Sequence, residues 1–186
     1  MAYSSWSVVF GEQPSAAKWN ILGTNDASFN DGTGIFGLKK DLLTTDSNPY
    51  KFSAYRGTAW TASAGLTLVN LNTEDFDTNN NFDITTNVGR YTVPVNGFYQ
   101  FNARVTIAGN TPRIFCAIYK NGSGGTELAA NDTNIANAVP VPFSCAVSVF
   151  CQLTAGEYVE LFHAAAAVAG SSTRRTSMDG HLVCRT

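Results

Sequence analysis

From Tyr99 to Ile107 the chain alternates without a break: Tyr99, Phe101, Ala103, Val105 and Ile107 are apolar or small, while Gln100, Asn102, Arg104 and Thr106 are polar. A period of two marks a strand with one buried face. Just before it, Tyr91, Val93 and Val95 alternate with polar neighbours or Pro94, and Asn96-Gly97 lies between the two runs. Asn-Gly between alternating segments is a strong hairpin signal, so residues 82–101 predict two strands around one tight turn. Pro94 has no N–H to give to a ladder, so its strand is expected at an edge or with an irregularity.

The same alternation recurs further on. Ile114, Cys116 and Ile118 precede a Lys120-Asn121-Gly122-Ser123-Gly124-Gly125 turn, and Val147, Val149, Cys151 and Leu153 precede Thr154-Ala155-Gly156. Several short strands separated by Gly, Asn and Ser turns predict an all-β sandwich or barrel. The first fifty residues read differently. Phe10 to Gly23 predicts one short helix, with Pro14 in its first turn and Gly23 placed to end it; Trp19 and Leu22 share a face with Ser15 and Ala16. A helix this short is marginal alone and must dock on something. The expected division is an attachment and connector segment over residues 1–50 and a head domain over 51–186.

The run Tyr91-Thr92-Val93-Pro94-Val95-Asn96-Gly97-Phe98-Tyr99-Gln100-Phe101 resembles the signature of the globular head domain of complement C1q, a relative of the tumour necrosis factor fold. Phe52-Ser53-Ala54-Tyr55-Arg56 resembles that family's first strand. Gln152 to Leu161 resembles its Leu-x-x-Gly-Asp/Glu-x-Val-x-Leu hairpin, and Gly180-His181-Leu182 its closing Gly-x-Leu strand. These pieces occur in the family's order over residues 50–186. The resemblance implies a ten-strand jelly-roll sandwich that assembles as a homotrimer and binds other molecules without catalysis. The fold and trimer core expected from it comprises Tyr91, Val93, Gly97, Tyr99, Phe101, Val149, Leu153, Gly156, Val159 and Leu161. A second resemblance covers residues 6–34, where Phe10-Gly11-Glu12-Gln13-Pro14-Ser15-Ala16-Ala17-Lys18-Trp19-Asn20 and the following stretch to Thr33 are similar to the amino-terminal segment of tailed-bacteriophage fibre and appendage proteins. It implies attachment to a capsid or tail protein through residues 1–50, with Pro14, Trp19, Leu22 and Gly23 as the attachment residues.

Composition narrows the picture. With 186 residues and 44% hydrophobic content the chain can bury one good core. Charged residues are only 14%, below the roughly 25% of an average soluble domain, which suits an exposed or oligomeric protein. A formal charge of −2 leaves no footprint for nucleic acid, and no apolar run is long enough to insert in a membrane. The amino terminus lacks the basic flank and apolar core of a secretory signal, so synthesis in a cytoplasm is expected; that this is a bacterial cytoplasm and that the destination is the virion surface is what the fibre resemblance implies. The four cysteines fit no zinc spacing and are expected as buried, reduced thiols; their spacing assigns no disulfide pairing.

Candidate chemistry is thin. Asp75, Asp77 and Asp83, in an Asn/Asp-rich run, offer oxygen ligands that calcium favours, although the run departs from the EF-hand template and such runs also serve as plain turns. His163 follows Val159 and Leu161 in period two and is expected to be packed. Trp60, beside the Gly57-Thr58-Ala59 turn, is expected with the other early aromatics in the core of the sandwich and its cap, partial exposure being the alternative. No nucleophile, acid–base pair or phosphate loop stands out, so no cofactor and no enzyme activity are expected. The function expected is that of a trimeric short fibre, spike or capsid decoration that attaches through its head to a host-surface glycan or protein. The alternatives are a secreted or surface lectin-like or cytokine-like binding module and, more remotely, a surface-glycan hydrolase.

Overall fold

A computed structural model describes residues 48–61, 63–107, 112–134, 142–165, 169–170 and 176–186; Pro14, Trp19, Leu22 and Gly23, and with them the expected attachment helix, lie outside the described residues. Two antiparallel sheets face each other, and no helix occurs among the described residues. One sheet runs in the order β2 (Trp60–Thr61), β12 (Ala169–Gly170), β7 (Gly97–Ile107), β13 (Ser177–Arg185), β1 (Lys51–Tyr55) and β4 (Thr73–Asp77), with β10 (Phe143–Leu153) paired along the other edge of β7. The other runs β5 (Phe82–Asp83), β6 (Arg90–Thr92), β11 (Tyr158–Ala165), β8 (Arg113–Lys120) and β9 (Thr126–Asn134), with β3 (Thr67–Leu68) also on β11. This is the expected jelly-roll sandwich, and Pro49–Thr186 forms one unit.

Alternation decides what fills the space between the sheets. Tyr99, Phe101, Val105 and Ile107 of β7 point inward with Met178 of β13 and Phe52 of β1, and meet Tyr91, Ile114, Ile118, Val159 and Leu161 from the opposite sheet. Phe52 is the bridge: its ring stacks on Phe82 at 4.8 Å and on Tyr91 at 4.6 Å. Tyr99 is buried to its hydroxyl, which donates to the carbonyl of Val95 at 2.7 Å and so meets the need of a buried O–H for a partner. Gly180 earns its place by packing, since a Cβ there would collide with the ring of Phe101.

The expected hairpin at Asn96-Gly97 does not form. β6 lies in one sheet and β7 in the other, and the two do not pair. Residues 93–96 are a crossover between sheets, which is where the donor-less Pro94 sits without cost to a ladder. Gly97 does not take the left-handed conformation an Asn-Gly turn would use. It is glycine because β13 bulges against it: a Cβ would lie 2.5 Å from the carbonyl oxygen of Cys184 and from Cδ1 of Leu182.

Thr154 to Glu157 likewise joins β10 of one sheet to β11 of the other, so this second expected hairpin is also a crossover, with Gly156 at φ 89°. The two crossovers hold each other. Val93 N donates to Glu157 O at 2.8 Å, Gly156 N to Val93 O at 2.9 Å, and Ala155 N to the side-chain oxygen of Asn96 at 2.9 Å. The Lys120–Gly125 turn, by contrast, is a true hairpin linking the paired β8 and β9, with Asn121 and Gly122 at φ 60° and 82°.

Candidate interaction face

The outward face of the longer sheet is built by the polar phase of three adjacent strands. Ser148 of β10, Asn102 of β7 and Asp179 of β13 are register partners and lie in one row across the strands. Their side chains are hydrogen-bonded in sequence: Ser148 Oγ donates to Asn102 Oδ1 at 2.8 Å and Asn102 Nδ2 donates to Asp179 Oδ2 at 2.9 Å. Gln100 Nε2 adds a bond to Ser148 Oγ at 2.8 Å, and the hydroxyls of Thr106 and Ser144 lie 2.7 Å apart two rows on. A shallow groove of about 500 Å³ runs over this row, bordered by Arg104, Ala146 and Ser177. Cross-strand pairs of this kind rigidify a sheet face.

Toward the crossover end the same face turns apolar. Phe98 of β7 and Phe150 of β10 stack with ring centroids 5.6 Å apart and planes 6° from parallel. Phe150 stays 56% exposed, and Val183 of β13 is 50% exposed. An outward aromatic pair on a long central sheet leaves apolar area that a partner would remove from water.

On the other sheet, the outward side chains of β11 are covered. Its outward Glu160 is 3% exposed and accepts from Arg90 Nε at 2.8 Å, while the Arg90 guanidinium lies 3.7 Å over the ring of Tyr158. Phe162 is buried against Tyr119, whose hydroxyl donates to Glu127 at 2.8 Å. Lys120 and Glu157 pair at 2.8 Å, which, with the backbone N–H of Thr154, holds the Glu157 carboxyl below its ordinary range.

Of the expected core set, Tyr91, Val93, Gly97, Tyr99, Phe101, Leu153, Val159 and Leu161 are buried and Val149 is half-buried against the core; Gly156 is exposed in its crossover. These side chains form the interior of the sandwich. The outward apolar positions, Phe98 and Phe150, escaped the sequence reading because both occupy the polar phase of alternating strands; an aromatic out of phase was the available signal.

The calcium candidates have other work. Both carboxylate oxygens of Asp77 cap backbone N–H groups, Asn79 at 3.2 Å and Phe82 at 2.7 Å. Asp83 accepts from the N–H groups of Thr85, Thr86 and Asn87 at 2.8–2.9 Å, and these bonds hold its carboxyl far below the usual carboxylate range. Asp75 is exposed on β4, and among the described residues no three His, Cys, Asp or Glu side chains gather as a metal cluster.

His163 is fully buried, and its ring meets the half-buried Trp60 edge-on at 4.6 Å. Neither ring nitrogen has a hydrogen-bond partner, and burial lowers its pKa to about 4, so it sits as a neutral imidazole. His181 is exposed on the outward face of β13.

A family model for the C1q domain matches residues 51–183. The globular domain of zebrafish complement 1qA protein superimposes with a TM-score of 0.57 at 18% identity, covering 74% of this chain and 99% of that one. Eiger TNF from S. frugiperda gives a TM-score of 0.60 at 11% identity, covering 74% and 94%, and murine APRIL 0.55 at 13%, covering 71% and 96%. No curated protein matches the sequence.

Proposed function

This chain belongs to the C1q domain family, and we propose that it is a homotrimeric structural protein of a tailed-phage-like particle, a short fibre, spike or capsid decoration that binds through its head. Domains of this family are generally binding modules without enzymatic activity, and family members are typically homotrimers. The observation that carries the assembly is the Phe98–Phe150 stack, left open on the same sheet face as Val183 and beside a hydrogen-bonded polar row. Burying that pair against copies of itself removes apolar area from water while the Ser148–Asn102–Asp179 row stays hydrogen-bonded.

The particle role rests on residues 6–34 and their likeness to phage appendage segments, which supplies a means of attachment, while three heads on one stem raise avidity without any single tight contact. Light scattering on a size-exclusion column should give three times 19.9 kDa; a monomer would remove the trimer. Antibody labelling of purified particles should then decorate their surface, and particles free of the protein would remove the virion role. Added as free protein, a host-binding fibre tip should block infection, whereas a capsid decoration should not.

A further inference from the structure

Cys116 and Cys145 belong to opposite sheets yet bring their sulfurs within 3.0 Å of each other. Cys116 sits inward on β8, opposite His163 of β11 on one side and Asn131 of β9 on the other. Cys145 sits inward on β10, opposite Val105 of β7. The contact falls at the edge where β10 closes over β8 and β9. The sheets are already tied there: Cys145 Sγ donates to Asn131 O at 3.3 Å, Thr133 Oγ1 donates to Cys145 Sγ at 3.6 Å, and Asn131 Nδ2 donates to Ala146 O at 2.8 Å. Both thiols are free and buried.

We propose that Cys116 and Cys145 are a latent disulfide, a covalent staple between the two sheets that closes when the protein meets an oxidising small-molecule disulfide. The sulfurs need to approach by about 1 Å to reach the disulfide length of about 2.05 Å. The two thiols would be exchanged against one low-molecular-weight disulfide. The Cys145 thiolate attacks one of its sulfurs, forming a mixed disulfide and releasing one small thiol. The Cys116 sulfur, losing its proton, then attacks Cys145 Sγ and releases the second. Two protein thiols are oxidised and one small disulfide is reduced to two thiols.

Cys145 is the better first nucleophile, because the hydrogen bond donated by Cys116 favours its thiolate and lowers its pKa, whereas the same bond and burial keep Cys116 protonated. Access comes through local opening of β9 and β10, which lie at the ends of their sheets. The bond would close a loop between cysteines 29 positions apart in the chain, which corresponds to a rise in melting temperature on the order of 10 °C.

The test is to incubate the native full-length protein with oxidised glutathione, alkylate the remaining thiols in denaturant, and map the peptides by mass spectrometry. A Cys116–Cys145 linked peptide is expected, with a melting temperature raised by about 10 °C and restored by reductant. A variant carrying Cys151→Ser and Cys184→Ser should behave in the same way. Cys145→Ala, or Cys116→Ala should the first fold poorly, should lose both the link and the shift. Recovery of Cys116 and Cys145 as alkylated thiols would overturn the proposal, as would a link from either to Cys151 or Cys184.

Discussion

The two sheets of this sandwich share one interior but treat their outward faces in opposite ways. On the β5-β6-β11-β8-β9 sheet, Arg90, Glu160 and Tyr158 satisfy one another and Phe162 is covered, so the outward side of β11 is closed within the chain. On the β7-centred sheet the polar row of Ser148, Asn102 and Asp179 is equally complete, yet Phe98, Phe150 and Val183 remain open beside it. What separates the faces is that one leaves an aromatic pair and Val183 open beside a hydrogen-bonded polar row. Such a surface is suited to self-association.

The largest expected effect erases the comparison altogether. Tyr99→Asp places a carboxylate between the sheets and removes the Val95 bond, so no soluble trimer should form; intact trimer from that variant would remove Tyr99 from the core. Arg90→Ala attacks the finished face. It strands the buried Glu160 carboxylate and should cost about 3 kcal/mol in denaturant unfolding, with the assembled mass unchanged; a loss under about 0.5 kcal/mol would show a pair no better than a solvated surface one.

The interior common to both faces has its own handle. His163 has an ordinary pKa of 6.5 and is held at about 4, so the unfolded chain takes up the proton first as pH falls. Its contribution is whole above pH 6.5 and declines between 6.5 and 4, reaching a loss of about 2 kcal/mol at pH 5. His163→Phe should flatten the pH profile of stability in that window; an unchanged profile would locate the acid sensitivity elsewhere.

Phe150→Glu tests the open face and should move protein from trimer to monomer on a sizing column while leaving the β-sheet circular dichroism intact. Trimer retained by this variant would shift the interface away from the aromatic pair. The smallest effect is expected from calcium. Because Asp77 and Asp83 already cap backbone groups, adding it should leave the melting temperature unmoved; a clear rise would restore them as ligands.

How much was legible follows from the range of each interaction. Alternation in β7, β8 and β10 depends only on which residues face the interior, so strand existence and the inward set from Tyr91 to Leu161 could be read along the chain. The same periodicity correctly placed His163 inside. The Asn96-Gly97 hairpin failed because a turn dipeptide reports a local reversal and not which sheet the next strand joins. Asn96 instead accepts from Ala155 N, and Gly97 yields to the bulge at Cys184. Phe98 and Phe150 were passed over for a related reason: their stack joins strands far apart in sequence.

By itself, then, the sequence determined an all-β sandwich or barrel, the inward phase of its long strands, the Asn121-Gly122 turn and the family motifs, all of which depend on side-chain period or a residue's own backbone preference. Only the tertiary structure decided that residues 93–96 and 154–157 cross between sheets, that one outward face closes on itself while the other stays open, and that Cys116 meets Cys145. Each of these depends on contacts between segments that sequence order does not bring together, and their geometry is set by how the two sheets pack.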